Sequence, residues 1–230
     1  MMQTSGVRVV GIDGCRGGWV AVALADGTFA GHGSATSLAD VLAMVLDGGT
    51  DPEAVVGIDM VLGVMETTWR AADAAARRML GARRSTVFAV PPRQVWEQDC
   101  YADANRVCRE LTAKGFSVQA WHLRAKLHEA AAYRRGCGHR LYEVHPELAF
   151  LAMAGGQALA ESKHTAAGRK RRHELLSQAG IAIRADPLTA DLLDAAAVAW
   201  SALRIANGTA VTLPDPPQHD RDGREIAIRY

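Results

Sequence analysis

Hydrophobic and polar positions change period several times along the chain, and each change marks an element. Val7 to Ile12 is apolar apart from Arg8 and predicts a buried strand. After an Arg16-Gly17-Gly18 turn, Trp19 to Leu24 predicts a second strand. Asp26-Gly27 is a hairpin signal, leading into a third strand from Thr28 to Ser34. Ser37 can cap a helix over Leu38 to Leu46, in which Leu38, Val41, Leu42 and Val45 fall at helical spacing. Ala54 to Ile58 then reads as a short parallel strand ending at Asp59. A three-strand meander, a helix and a fourth strand predict a mixed α/β fold.

The middle of the chain is mostly helical in pattern. Helices are predicted over Thr67 to Leu80, Tyr101 to Lys114 and Gln119 to Arg135, with a loop at Val90-Pro91-Pro92. Arg140 to Val144 returns as a strand and ends at His145-Pro146. Glu161 to Arg172 is polar and basic, followed by a short helix around Glu174 to Ala179. Asp186-Pro187 reads as the cap and first position of a helix that runs to about Asn207 and stops at Gly208. The tail, with Pro214, Pro216 and Pro217, leads to a final edge strand at Ile226 to Ile228. No internal repeat or linker stands out. The expectation is one domain over residues 1–230 with a helical insertion at about 64–138.

Composition narrows the class. The chain has 230 residues, enough for a substantial core, and 22% charged residues, as in ordinary globular proteins. Its formal charge of +1 gives no global attraction to nucleic acid or membrane, so any phosphate affinity must be local. Cys15, Cys100, Cys108 and Cys137 include no C-x-x-C pair, which favours reduced thiols over a zinc site or disulfides. The N-terminus lacks a signal-peptide h-region, and no apolar run approaches the roughly 20 residues that span a bilayer. The expected compartment is the cytoplasm.

The acidic residues carry the chemical signal. Asp13 closes the first strand, Asp59 closes the fourth, and Glu143 lies near the end of the strand in LYEVHP. Strand carboxyl ends of a parallel sheet converge on one rim, where ligands bind. Asp191 and Asp194 are three apart and share a helix face, and small apolar neighbours put Asp194 on the buried side. A buried carboxylate is costly unless it is paired or holds a cation. Taken one at a time, the bland readings stay open: a turn for Asp13, a surface ion pair for Glu143, an arginine partner for Asp194. Together the acids suit Mg²⁺ or Mn²⁺, and two such ions about 4 Å apart can drive phosphodiester hydrolysis.

GIDGCRGGWV, the strand ending at Asp59, RRSTVF, FSVQAWHLRAKLHE, EVHPE, SKHTAAGRKRR and DLLDAAAVAW occur in the order seen in domain-of-unknown-function family 429, which the chain resembles over nearly its whole length. The resemblance implies a ribonuclease-H-like mixed sheet flanked by helices, with a helical insertion, and predicted nuclease activity. It implies that Asp13, Asp59 and Asp194 are metal-binding carboxylates, with Glu143 as a fourth candidate. Three positions depart from the family pattern. Met60-Val61-Leu62-Gly63 lacks the proline usual after the strand-end aspartate, and Ala131 and Ala190 stand where acids are frequent.

Other candidates surround the acids. His145, before a proline, can serve as general acid or base or simply hold the strand end. Arg16 beside the opening turn, and Arg83 with Ser85, are candidates for phosphate contact, against solvated turn and helix-end positions. Lys163, Thr165 and Arg172 resemble a Lys-Thr-Gly-Arg pattern of the family. Arg169 to Arg172 is the densest basic run, although such runs are usually exposed faces. The leading expectation is a metal-dependent phosphodiester hydrolase acting on nucleic acid or a small phosphorylated substrate. The alternatives are an ATPase or phosphotransferase sharing this core, and a non-catalytic binding protein. Oligomeric state stays open, a homodimer included.

Overall fold

The computed structural model describes residues 7–46, 51–136 and 140–230. Cys137 and the last residues of the expected insertion lie outside them.

Two tight turns build the first half of the sheet. β1 (Arg8–Cys15) and β2 (Gly18–Ala25) are antiparallel and close at Arg16-Gly17, where Gly17 has φ +88°. β2 returns to β3 (Thr28–Ala35) through Asp26 and Gly27, at φ 50° and 78°. Positive φ at both central residues matches the right-handed twist of paired strands, which is why Asp-Gly serves here. Ser37 then caps α1 (Leu38–Val45), its side chain accepting the Asp40 N–H at 3.1 Å. The chain re-enters the sheet as β4 (Val55–Asp59), parallel to β1, and later as β5 (Arg140–Glu143), parallel to β4. Among the described residues the sheet has five strands in the order β3-β2-β1-β4-β5. This is a mixed α/β sheet flanked by helices, an arrangement consistent with the ribonuclease-H-like fold that the resemblance implies.

Between β4 and β5 run α2 (Ala71–Leu80), a 3₁₀ turn over Gly81–Thr86, α3 (Arg93–Trp96), α4 (Tyr101–Thr112), α5 (Val118–Trp121) and α6 (Arg124–Gly136). After β5 come α7 (Pro146–Met153), α8 (Ala166–Gln178) and α9 (Ala190–Ala206), then β6 (Thr212–His219) and β7 (Glu225–Arg229). Contacts divide the chain into two compact units. The first holds Met1–Met60, Gly136–Val211 and Arg229–Tyr230, and the second holds Val61–Arg135 and Thr212–Ile228. The sequence suggests one domain with an insertion at about 64–138; in the structure the second unit also takes in most of the proline-containing tail.

Several elements differ from the sequence expectation: α2 starts at Ala71 rather than Thr67, and the helix expected over Gln119–Arg135 is split into α5 and α6. α7 is unforeseen: Pro146 sits in its first turn, where a missing N–H costs nothing, so the proline that appeared to stop a strand also starts a helix. α8 is continuous through the basic run, which becomes helix rather than a polar loop. α9 begins at Ala190 and not at Asp186-Pro187, because Thr189 is the cap, accepting the Leu192 N–H at 3.2 Å. The tail's final strand pairs with β6 in a two-stranded sheet of its own.

The core of the first unit forms where α9 lies along β1, β2 and β4. Leu192, Leu193, Ala195, Ala196, Ala197, Val198, Ala199 and Ala202 are all buried, and all but Val198 share one cluster with Val9, Val22, Leu24 and Val55. So many alanines in a buried helix keep its backbone close to the sheet. Among the described residues no helix is long and apolar enough to cross a membrane.

Candidate carboxylate site

The same pentapeptide, Val-Val-Gly-Ile-Asp, occurs in β1 as residues 9–13 and in β4 as residues 55–59. The two copies pair in register, Gly11 beside Gly57 and Asp13 beside Asp59. Strand alternation puts each glycine on the same sheet face as the aspartate two residues later. That face is covered by α9. A Cβ on Gly11 would lie 2.0 Å from the Ala199 nitrogen and 2.2 Å from the Ala195 carbonyl oxygen. One on Gly57 would lie 3.0 Å from the Val198 side chain. The glycines therefore let α9 descend on to the strands, and its first turns, carrying Asp191 and Asp194, reach the strand-end aspartates.

Electrostatics report how close these acids are. Burial pushes the Asp13 carboxyl well above its ordinary range, and the charges of Asp59 and Asp194 push it further, with Lys163 opposing and Asp191 adding. Burial also raises Asp59, against the lowering influence of His145 and Lys163 and a hydrogen bond shared with Asp13. Asp194 is 1% exposed, and burial lifts it to about 6 although Lys163 works against the shift. The Lys163 Nζ donates to Asp194 Oδ2 at 2.5 Å. Burial alone lowers the Lys163 ammonium, but Asp194, Asp13 and Asp59 outweigh it and leave it above its usual value. The other Asp194 oxygen, Oδ1, is buried and accepts no hydrogen bond.

Chemically, carboxylate oxygens are the hard donors that a divalent cation takes. The cluster offers such oxygens, one of them, Asp194 Oδ1, buried without a hydrogen-bond partner. Among the described residues, however, no three or more Asp, Glu, His or Cys side chains already converge as a ligand group. A lysine ammonium stands among the acids instead.

The remaining sequence candidates separate. His145 is half-buried at the β5–α7 junction, near enough to Asp59 to lower it. Glu143 pairs across the strands with Ile58, one residue short of Asp59, so alternation turns it to the opposite sheet face. Thr165 caps α8, accepting the Gly168 N–H at 3.0 Å and donating to the Ser162 carbonyl at 2.9 Å. Arg172 is fully buried, donating to Glu147 at 2.6 Å and lying over the Phe150 ring. It is thus a core residue and not an exposed phosphate contact. Arg16 is exposed on the β1–β2 turn. Arg83 and Ser85 belong to the 3₁₀ turn of the second unit.

One contributor and one signal escape the sequence reading. Glu147 raises both Asp59 and Asp194, and its own charge is met by Arg172. Pro146 opening a helix was the available signal, since acids favour a first helical turn. The repeated pentapeptide was the other: two copies ending in aspartate already suggested two equivalent strand ends side by side.

No curated protein and no solved structure matches the chain significantly. A family model does, over residues 11–219, a span that includes Gly11 to Asp13 of the first pentapeptide, the whole of the second, the Lys163 segment and the first turns of α9. This chain belongs to the family described as Protein of unknown function (DUF429).

Proposed function

We propose that this chain hydrolyses phosphodiesters at the cluster of Asp13, Asp59 and Asp194, with one or more Mg²⁺ or Mn²⁺ ions as cofactor. The observation that carries the reading is the in-register pairing of Asp13 with Asp59 beneath Asp194, whose Oδ1 has no partner. Bound there, a divalent cation supplies charge to a phosphoryl group and makes a water more acidic. Asp13 and Asp59, on adjacent β-strands, give a stiff base that cannot drift apart when charges change. Asp194 comes from a helix held down by Gly11 and Gly57, so its carboxylate is equally fixed. Lys163, one-third exposed, can turn its ammonium to a phosphoryl oxygen at the mouth of the cluster. His145, whose charge lowers Asp59, would carry a proton to a departing oxygen. The substrate class is nucleic acid or a small phosphorylated molecule.

The experiment is cleavage of single-stranded DNA, RNA and bis(p-nitrophenyl) phosphate with Mn²⁺, by the wild type and Asp13→Asn. The reading expects turnover of at least one substrate and loss of at least a hundredfold in the variant. Equal cleavage by both proteins, or none on any substrate, overturns it. Hydrolysis of ATP without phosphodiester cleavage would move the assignment to an ATPase on the same core.

A further inference from the structure

We infer that a cleft in the second unit binds a small organic oxyanion, a compact body carrying one phosphate monoester or carboxylate head. The site is independent of the carboxylate cluster and of the hydrolysis proposed there. The cleft measures about 140 Å³, and every residue that lines it belongs to the second unit. Its walls come from residues 62–64, α3, α6 and the turn between β6 and β7.

Four arginines, Arg93, Arg134, Arg135 and Arg224, line the cleft against three acids, Glu97, Asp220 and Asp222. The acids are already engaged or hydrated. Asp220 Oδ1 accepts the backbone N–H groups of Asp222 and Arg224, each at 2.9 Å, and so serves the turn. Asp222 accepts from Arg224 Nη1 at 2.9 Å, and Glu97 is exposed, where water screens its charge. The arginines are less used. Among the described residues, Arg93 spends only its Nε, on Glu66 at 2.6 Å, and Arg224 keeps Nε and Nη2. The Arg135 side chain makes no hydrogen bond or ion pair among them. Guanidinium N–H groups left over around one hollow suit the paired oxygens of a phosphate or carboxylate. Leu62, Val64, Trp96 and Leu127 give the same cleft an apolar wall for the body of the ligand.

The walls are set before a ligand arrives. The Trp96 carbonyl accepts from Arg124 Nε at 2.9 Å and from His128 Nε2 at 3.3 Å, which fastens α6 to α3. Arg134 donates to the Leu62 and Glu225 carbonyls, both at 3.1 Å, tying α6 to the segment after β4 and to the start of β7. A ligand entering this cleft therefore orders few side chains.

The test is calorimetric titration of the full chain, without divalent metal, with phenyl phosphate, benzoate and benzyl alcohol. Wild type is compared with Ala131→Glu, which puts a carboxylate on the α6 wall, and with Arg135→Gln, an exposed change. Circular dichroism checks that both are folded. One molecule of phenyl phosphate or benzoate per chain should bind the wild type, and the anion that binds identifies the head group. Ala131→Glu should weaken it by about tenfold or more, and Arg135→Gln by about threefold. Asp13→Asn should bind as the wild type does. No binding of either anion, equal affinity for benzyl alcohol, or undiminished binding by either folded variant overturns the inference. Binding lost in Asp13→Asn would place the anion at the carboxylate cluster, which also overturns it.

Discussion

Gly11 and Gly57 are register partners on neighbouring parallel strands, and each precedes an aspartate of the cluster by two residues. The pair explains how a helix bearing buried acids comes within reach of two strand ends. A methyl group on Gly11 would meet helix backbone at 2.0 Å, which cannot turn aside as a side chain can. Gly11→Ala should therefore cost about 3 kcal/mol or more, beyond ordinary overpacking. Gly31→Ala, with nothing within 4 Å of the added atom, should stay within about 0.5 kcal/mol of the wild type. Urea unfolding of the two variants checks the contrast, and similar losses in both would refute it.

Arg172 and Glu147 form a buried pair, with side chains 0% and 8% exposed. Removing one member leaves the other charge uncompensated inside the protein. Arg172→Ala should destabilise by about 3–5 kcal/mol, and a double replacement, Glu147→Gln with Arg172→Met, should recover part of that loss. Denaturant midpoints measure both. A fully stable Arg172→Ala with reduced substrate affinity would instead restore the phosphate-binding role expected from the sequence.

The raised aspartates set a pH dependence. Asp194 holds its proton to about 6 in the folded chain, whereas in the unfolded chain it ionises in the ordinary aspartate range. Between those limits the native state binds more protons, so its stability falls as pH rises through the window. Asp13 shifts in the same direction, through burial first and then its acidic neighbours. Asp13→Asn removes one of these costs while its amide can still donate to Asp59. Without metal, the variant should exceed the wild type by about 1 kcal/mol at roughly pH 7.5, and the gap should narrow towards roughly pH 4. Thermal melts across that range give the answer; a gap that widens at low pH has the wrong sign.

Thr165 acts as a helix cap in the structure, whereas the sequence suggested a substrate contact. Thr165→Ala should cost about 1 kcal/mol, and Thr165→Ser should cost much less because the hydroxyl is kept. Equal losses in the two variants would exclude the capping role.

Local patterning made much of the sheet legible. Apolar runs, Asp26-Gly27 and the Ser37 cap act over a few residues, and the three-strand meander, α1 and β4 all formed where those signals lie. The strand-end positions of Asp13 and Asp59 could be read in the same way. α7 and most of α8 could not, because Pro146 and a run of arginines give no clean helical period, and their stability comes from packing and a buried ion pair.

What the sequence determined by itself is that two strands end in aspartate and that a helix rich in alanine carries two more. Only the tertiary structure decided which acids meet. Strand alternation is a two-residue rule, but which residue lies opposite which depends on register, and register sent Glu143 to the far face while setting Asp13 beside Asp59. The place of Lys163 is likewise a long-range result. It lies 31 positions from Asp194 along the chain, and no spacing rule reaches that far. Burial then raises the aspartates, and their combined charge draws in the ammonium that completes the cluster.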